Sequence, residues 1–344
     1  MPTYSPKVLT ELGTELLTKA GASPEHAATI AEVSIWAAVR GIDSHGVARI
    51  AKYAEMFGTG VANPCPSIEV SSGASAVALV ASDRAPGPVA LTQAADHAVA
   101  TARTTGIAAV AVKDTVHTGA IGYYTSRIAQ SGLIGIAFVA GMPNMGYTGV
   151  KGAAVATSPL AIAVPGVSGT EVLLDMATAT IALGKIAQHK AAGEALPEGA
   201  ATTADGEPTT DPELATMPTP MAGPKGSGMS LAFELITSVL AGAPILASVH
   251  TGGPRKHRQN ALLIAIDPAA FGGDGFAADV DATIAALKAL PVAEGYEEIS
   301  VPGDRSNAVA EERTAHGIPV KPKAWKELEA LAVELDVELP EAIS

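Results

Sequence analysis

A group of polar residues interrupts an alanine-rich segment near the N-terminus. Asp43 and Ser44 are common helix N-caps, and the apolar spacing after them predicts a helix. On that helix His45, Arg49 and Tyr53 follow one another at intervals of four residues, so they project from one face. A proton-carrying imidazole, a guanidinium shaped for a carboxylate and a phenol suit a small carboxylate substrate. The same spacing is typical of a solvated polar helix face, and this segment alone leaves both interpretations open.

The composition describes a folded chain with ample core material, because 48% of its 344 residues are hydrophobic and 17% are charged. A net charge of -13 argues against nucleic acid as a partner, since phosphates would repel it. The one basic run, Arg255 to Arg258, is interpreted as a solvated loop, with an anion contact as the alternative.

Cys65 is the only cysteine, which excludes an intramolecular disulfide and a cysteine-based zinc site and favours a cytoplasmic location. No apolar run reaches the roughly 18 residues that a membrane-spanning helix needs, so no membrane contact is predicted. The sequence suggests no metal site.

Both ends of the chain have helical patterns, and the middle alternates between short apolar runs and helices. The predicted strands lie at Val77–Ala81, Ile107–Val112, Leu133–Val139, Ala161–Val164, Val172–Leu174 and Ala261–Ile266. Buried strands separated by helices predict an α/β fold with a sheet covered on both faces. A proline-rich stretch from Glu194 to Pro224 is longer than an ordinary connection and is predicted to be a functional loop or a linker.

Two nucleotide-binding motifs are missing. No G-x-G-x-x-G follows a predicted strand, and Gly184-Lys185 is followed by isoleucine instead of completing a P-loop. An ordinary Rossmann site is therefore unsupported.

Other segments combine polar residues with predicted strand ends or helix starts. The first, His117 to Gly122, follows a strand and precedes a helix, where phosphate binds readily, although a capped turn has the same pattern. Asp175 ends an apolar strand and is predicted either to orient His45 or to cap a helix. Gly223 to Gly228 suits either an anion contact or a hinge. Val301 to Ser306 contains Arg305, which is predicted either to contact a phosphate or to be an ordinary surface arginine.

Taken together, the segments resemble the malate/L-lactate/sulfolactate dehydrogenase family, which has a non-Rossmann nicotinamide fold and also contains ureidoglycolate dehydrogenase, diketogulonate reductase and piperideine/pyrroline-2-carboxylate reductases. The resemblance covers nearly the whole chain in order. It is carried by D-S-H-G at Asp43–Gly46, H-T-G-A-I-G at His117–Gly122, T-S-P-L-A-I-A-V-P at Thr157–Pro165, L-L-D-M-A-T at Leu173–Thr178, P-E-G at Pro197–Gly199, D-G-E-P-T-T-D-P at Asp205–Pro212, G-P-K-G-S-G at Gly223–Gly228 and V-P-G-D-R at Val301–Arg305.

The resemblance implies a fold class and a function. The fold is a mixed-sheet α/β nicotinamide-binding domain (76–307) plus a helical subdomain formed by both termini (1–75 with 308–344), in a homodimer. The function is hydride transfer between NAD or NADP and C2 of a small 2-keto or 2-hydroxy acid. A cyclic 2-imino acid reductase and a non-catalytic carboxylate-binding relative are the alternatives.

The resemblance also implies site residues. His45 is the acid/base, oriented by Ser44 and Asp175, and His117 is the alternative acid/base. The implied substrate-side residues are Arg49, Tyr53, Thr157, Leu183 and Gly184. The implied cofactor-binding residues are His117, Thr118, Gly119, Ala120, Ile121, Asp175, Met176, Ala177, Pro224, Lys225, Gly303, Asp304, Arg305, Ser306 and Asn307.

Two residues and one loop depart from the family pattern. Pro224 replaces a common histidine, and Ser158 replaces a common asparagine, which leaves the choice between NAD and NADP open. The loop from Met142 to Lys151 lacks the expected aromatic or Gly-Gly character, which leaves the substrate range open.

Overall fold

Helices and strands alternate through the middle of the chain and helices dominate both ends. The computed structural model of the protein describes residues 1–167 and 171–343. The helices are α1 (Pro6–Lys19), α2 (Pro24–Val39), α3 (Ala48–Gly58), α4 (Gly87–Thr105), α5 (Gly122–Ala129), α6 (Leu183–Ala192), α7 (Pro224–Glu234), α8 (Leu246–His250), α9 (Phe276–Lys288), α10 (Asp304–His316) and α11 (Pro322–Leu335). The strands are β1 (Thr3–Tyr4), β2 (Glu69–Ala74), β3 (Val77–Ala81), β4 (Ile107–Thr115), β5 (Ile134–Gly141), β6 (Leu160–Pro165), β7 (Glu171–Met176), β8 (Ala201–Thr202), β9 (Pro208–Thr209), β10 (Met217–Pro218), β11 (Gln259–Ile266) and β12 (Ile318–Pro319).

Within the described residues, the large sheet has seven strands in the order β2-β3-β4-β11-β5-β6-β7. Strands β3 and β4 run parallel, whereas β11 lies between β4 and β5 and is antiparallel to both. Helices α4 and α5 cover one face, and α7 with its π-helical continuation (Leu235–Val239) covers part of the other. The predicted α/β fold with a mixed sheet that differs from the parallel Rossmann sheet is confirmed.

The two ends of the chain form one hydrophobic cluster. Strand β1 pairs with β12, and Leu9, Ile50, Ile318 and Leu328 are all buried in this cluster. The predicted helical subdomain from both termini is therefore confirmed as part of the fold. Strand β2 already belongs to the large sheet before residue 76, and residue 344 lies outside the described residues, so the domain boundaries stay predictions.

The segment that contains His45 is not one continuous helix. A 3₁₀ turn spans Asp43–His45, and α3 begins only at Ala48 without a side-chain cap. Gly46 separates the two with an extended ψ of -140°, and a Cβ at Gly46 would lie 3.0 Å from the Cβ of Ala38 in α2. The predicted N-capped helix is therefore wrong at its start, because close packing against α2 overrides the local pattern.

The remaining differences concern element boundaries. Strand β4 continues to Thr115 instead of ending at residue 112, and β5 spans Ile134–Gly141 instead of residues 133–139. The proline-rich stretch is not structureless, since β8, β9 and β10 pair within it.

Candidate active site

Two histidines from distant parts of the chain face each other. The rings of His45, in the 3₁₀ turn, and His117, after β4, lie 5.4 Å apart between centroids and are tilted by 31°. Nδ1 of His45 lies 2.9 Å from the Ser44 hydroxyl oxygen. Burial and then the charge of Arg49 lower the pKa of His45 to about 4. The predicted Ser44–His45 pair is thus present, next to the alternative acid/base.

Two neighbouring groups contact Nδ1 of the His117 ring. The backbone N–H of Gly119 donates to Nδ1 of His117 at 3.1 Å, and the Tyr53 hydroxyl lies 3.1 Å from the same nitrogen. The Tyr53 hydroxyl also lies 3.0 Å from the His117 carbonyl oxygen, to which it can donate. The fold therefore joins α3 of the helical subdomain to the loop after β4.

Arg49 has part of its guanidinium free for a ligand. Its Nε donates to the Ser44 carbonyl oxygen at 2.8 Å, and neither terminal nitrogen has a partner in the described part of the chain. The fork of N–H groups that binds carboxylates in pairs is therefore available beside His45. Burial lowers the pKa of Arg49 from its ordinary value.

The loop that carries His117 is fixed by its neighbours. The side chain of Gln259, in the central strand β11, accepts from the Thr118 N–H at 2.8 Å. The Tyr124 hydroxyl donates to the Thr118 carbonyl at 2.6 Å, and the Gly87 N–H donates to the His117 carbonyl at 3.0 Å. The start of α4 thus packs directly against the backbone of the site.

Gly87→Ala is expected to destabilise the protein and to disturb the site together. A Cβ at Gly87 would lie 2.3 Å from the Thr118 Cα and 2.6 Å from the His117 carbonyl oxygen. Overpacking against backbone costs about 3 kcal/mol in the free energy of unfolding. Urea denaturation and kcat measure the two effects.

Gly58→Ala is the matched control for this substitution. Gly58 ends α3, and a Cβ there would meet nothing within 4 Å. We expect this variant to keep both its stability and its kcat. A Gly87→Ala protein as stable and as active as Gly58→Ala would contradict the packing argument.

Asp175 lies at the end of β7 and binds a helix start instead of a histidine. Its Oδ2 accepts from the Gly122 N–H, at the beginning of α5, at 2.9 Å. In the described residues it makes no hydrogen bond or ion pair with His45, so the expected contact that would orient His45 is not seen. Burial of the carboxyl raises the pKa of Asp175 to about 6, against the lowering effect of the Gly122 N–H, although the residue as a whole is exposed. The position favours the helix-capping interpretation.

Asp175→Asn is expected to stabilise the unliganded protein at high pH and not at low pH. The carboxyl pKa is raised to about 6 in the folded chain, above roughly 3.9 in an unfolded one. The free energy of unfolding therefore falls as the pH rises from 4 to above 6, because the carboxyl ionises less readily in the folded chain. A neutral amide does not ionise and avoids this loss. Because solvent screens the carboxyl, we expect a Tm gain of only ~2 °C at pH 8, measured by calorimetry against pH 4. A gain of equal size at both pH values would exclude the carboxyl as its cause.

The predicted cofactor segments gather along β7, which is the edge strand of the large sheet. Asp175 touches the start of α5, and the Leu173 N–H donates to the Pro302 carbonyl beside the start of α10. Beyond the end of β7, the Thr178 carbonyl accepts from Met221 N–H, just before α7 begins. The segments at 117–122, 175–177, 224–225 and 303–307 are thus tied to one sheet edge through β7 and the residues that follow it.

The predicted substrate-side residues lie on two further segments. The backbone of Thr157 bonds to the Asn144 side chain and to Thr178. Gly184, beside Leu183 at the start of α6, approaches Ser44 so closely that a Cβ there would lie 3.4 Å from the Ser44 Cβ.

A cavity of about 510 Å³ opens beside this contact. Its lining includes Ser44 and Arg49 from the N-terminal part, Gly184 and Gln188 from α6, and residues 318–321. This volume suits a small ligand. Neither histidine belongs to its lining, so the cavity reaches the predicted carboxylate anchor and stops short of the histidine pair.

The sequence-based prediction missed several residues that support the site. His257 lies close enough for its charge to contribute to lowering the pKa of His117, and Arg49 in turn helps to lower the pKa of His257. The basic run that contains His257 is the available signal, but such a run is more typical of a solvated loop. Gln259 and Tyr124 gave no signal, because an amide in a strand and a phenol in a helix are ordinary core residues.

Two kinds of feature are absent from residues 1–167 and 171–343. They contain no group of three or more histidine, cysteine, aspartate or glutamate side chains placed to hold a metal ion. Within the same residues, no helix combines the length and the apolar character required to cross a membrane.

Comparisons with known proteins agree over nearly the whole chain. The family model described as malate/L-lactate dehydrogenase matches residues 4–329. The ureidoglycolate dehydrogenase (NAD(+)) of Escherichia coli O157:H7 is 33% identical over 321 residues, which are 92% of each chain. The Δ1-pyrroline-2-carboxylate reductase of Ancylobacter novellus is 31% identical over 92% of this chain and 94% of its own. The solved structure of sulfolactate dehydrogenase from Methanocaldococcus jannaschii has a TM-score of 0.90 at 32% identity, with 100% of both chains covered.

Proposed function

Because the chain belongs to the malate/L-lactate dehydrogenase family, we propose that it transfers a hydride between a nicotinamide cofactor and C2 of a small 2-keto or 2-hydroxy acid. One observation carries this proposal: the segment with His45 and the free fork of Arg49 meets His117, which comes from a distant part of the chain. A proton carrier beside a carboxylate anchor is what reduction of a 2-keto acid requires.

The residues of the chain supply binding and proton transfer. A bound nicotinamide supplies or accepts the hydride. Arg49 holds the substrate carboxylate, and His45 exchanges a proton with the oxygen on C2. Since the pKa of His45 is about 4, its imidazole is neutral near pH 7 and suits the role of a base that oxidises a hydroxy acid. A carboxylate on Arg49 offsets the cation that lowers this pKa, and so favours the protonated form that reduction needs.

The residues along β7 fit a dinucleotide. Asp175 has a second carboxylate oxygen, Oδ1, without a partner in the described part of the chain, and ribose hydroxyls can donate to it. Lys225 and Arg305, near the starts of α7 and α10, are exposed cations without an ion-pair partner among the described residues, and they suit its phosphates. The proposed cofactor is NAD or NADP. Titration of the protein with NADH and with NADPH, followed by the fluorescence of the reduced nicotinamide, decides between them. If neither binds, the proposal is excluded.

A second candidate function is reduction of a cyclic 2-imino acid. The similarity to Δ1-pyrroline-2-carboxylate reductase supports it. The same proton carrier and carboxylate anchor serve a C=N bond as well as a C=O bond. Turnover of pyruvate, oxaloacetate and pyrroline-2-carboxylate, each with NADH and NADPH, separates the two functions. The relatives are dehydrogenases and reductases, so the non-catalytic alternative is set aside.

We also propose that the protein is a cytoplasmic homodimer. Helix α7 and its π-helical continuation expose Leu231, Leu235, Ile236, Val239 and Leu240, which together form the apolar face of this segment. Contiguous exposed apolar surface marks contact sites between proteins. The occupant we propose is a second copy of this chain.

Leu235→Glu is expected to shift the protein from dimer to monomer, because it places a charge in the middle of the apolar face of α7. Light scattering after size-exclusion chromatography measures the mass. Leu214→Glu, at another exposed leucine, is the control and is expected to leave the mass unchanged. A Leu235→Glu protein that remains a dimer would place the interface elsewhere.

A further inference from the structure

One hydrogen-bond partner of His117 can only donate. Nδ1 of this ring accepts the backbone N–H of Gly119. A backbone N–H only donates, so Nδ1 must be an unprotonated acceptor, and the ring proton must be on Nε2. An imidazolium would direct an N–H at the Gly119 N–H, which the geometry opposes.

Resting on the proposed function, we propose that His117 acts as a fixed neutral hydrogen-bond donor to the reacting oxygen or nitrogen of the substrate, and not as its proton source. Gly119 and Tyr53 are the positioning residues that keep it in this state. The Nε2–H of His117 would then stabilise negative charge that develops on the substrate, as the donors of an oxyanion hole do.

His45 differs from His117 in the kind of partner at its Nδ1. That partner is the Ser44 hydroxyl, which can donate or accept. His45 can therefore be neutral or protonated without losing its hydrogen bond, whereas His117 cannot. The asymmetry assigns the moving proton to His45.

The proton and electron balance follows from this assignment. The reduced nicotinamide of the proposed function would supply the hydride and become oxidised. As the new C2–H bond forms, the π electron pair of C=O would move onto oxygen and take the proton from His45, so that the substrate is reduced. The His45 N–H bond breaks and the ring becomes neutral, while the Nε2–H bond of His117 stays intact. Oxidation of the hydroxy acid follows the reverse course.

The charged and titratable groups that face His117 also favour its neutral form. Burial, and then the nearby Arg49, His45 and His257, lower the pKa of His117 well below its ordinary value. Tyr53 is buried and its pKa is raised, so its hydroxyl keeps its proton and stays available as a donor. Its two possible acceptors in the described part of the chain are the carbonyl oxygen and Nδ1 of His117 itself.

The first test reads the ring directly and does not depend on turnover. Two-dimensional ¹⁵N–¹H spectra of the cofactor-free protein, with His117→Gln for assignment, report its tautomer. We expect an Nε2–H ring that does not titrate between pH 5 and 9. In Tyr53→Phe, which removes one donor and leaves Gly119, we expect the Nδ1 resonance to shift. An Nδ1–H ring, titration in this range, or unchanged resonances in Tyr53→Phe would each overturn the inference.

The second test compares kcat of His117→Gln with kcat of His117→Ala, and it requires a wild-type protein that turns over one of the substrates above. Glutamine at 117 still donates an N–H but carries no transferable proton, so His117→Gln should retain kcat within roughly tenfold, whereas His117→Ala should lose on the order of 10²-fold. Equal loss in both variants would show that His117 supplies the proton. A wild type without turnover on any of the substrates above would instead remove the proposed function, and the spectra would still decide the state of the ring.

Discussion

Replacing His45 with glutamine lowers kcat by about 10³-fold in both directions and leaves cofactor affinity unchanged, because a general acid/base contributes on the order of 10²–10⁴-fold. Glutamine keeps the size and polarity of the side chain but cannot exchange a proton. Ser44 loses its imidazole partner and no buried charge is stranded, so the fold should tolerate the change. Steady-state kinetics and cofactor fluorescence measure the two quantities separately.

The control for this variant is another histidine outside the predicted site. His97→Gln, on α4, should leave both quantities unchanged. If His45→Gln retains its activity while His117→Gln loses it, the roles that we assign to the two histidines must be exchanged.

Replacing Arg49 with lysine raises KM for the carboxylate substrate far more than it lowers kcat. Lysine keeps the charge but loses the planar fork, and with it the Nε bond to the Ser44 carbonyl. Loss of one or two charge-assisted hydrogen bonds, about 3 kcal/mol in total, corresponds to a fall of roughly 10²-fold in kcat/KM. Arg103→Lys, an exposed arginine on α4, is the control and should behave like the wild type. A fall in kcat at constant KM would show that Arg49 does not anchor the substrate.

Arg49→Met tests the electrostatic part of the same arrangement. Arg49 is the second cause of the lowered pKa of His45, after burial, so its removal raises that pKa from about 4 toward the ordinary value. The acidic limb of kcat/KM for oxidation, where His45 must be neutral, should therefore move to higher pH. Arg49→Lys should leave this limb nearly in place, because the charge remains.

The contact between Tyr53 and His117 joins two parts of the chain that are remote in sequence. Tyr53 belongs to the helical subdomain, and His117 belongs to the loop at the end of β4. A relative shift of these parts would change the hydrogen bonding of His117 and the distance between the histidines together. Packing at Gly87 and the bond from Gln259 hold the loop on its other sides.

The sequence by itself determined the fold class and which segments carry the polar residues. Short apolar runs of strand length separated by helices are a local signal. They predict six of the twelve strands in the described residues, including all interior strands of the large sheet, and they miss β2 and the five two-residue strands. The start of α2 is also local in origin, because the Ser23 hydroxyl accepts from the His26 N–H in the first turn of the helix. Ordered motifs indicated the family, which the family match confirmed.

Only the tertiary structure decided how those segments act on one another. The turn at His45 departs from the predicted helix because Gly46 packs against Ala38 in a neighbouring helix. Asp175 bonds to Gly122 instead of His45 because β7 is a sheet edge beside the start of α5. The hydrogen bonding around His117 involves a phenol 64 residues away. A periodic pattern records which face of a segment is buried, but long-range packing decides which partners that face meets.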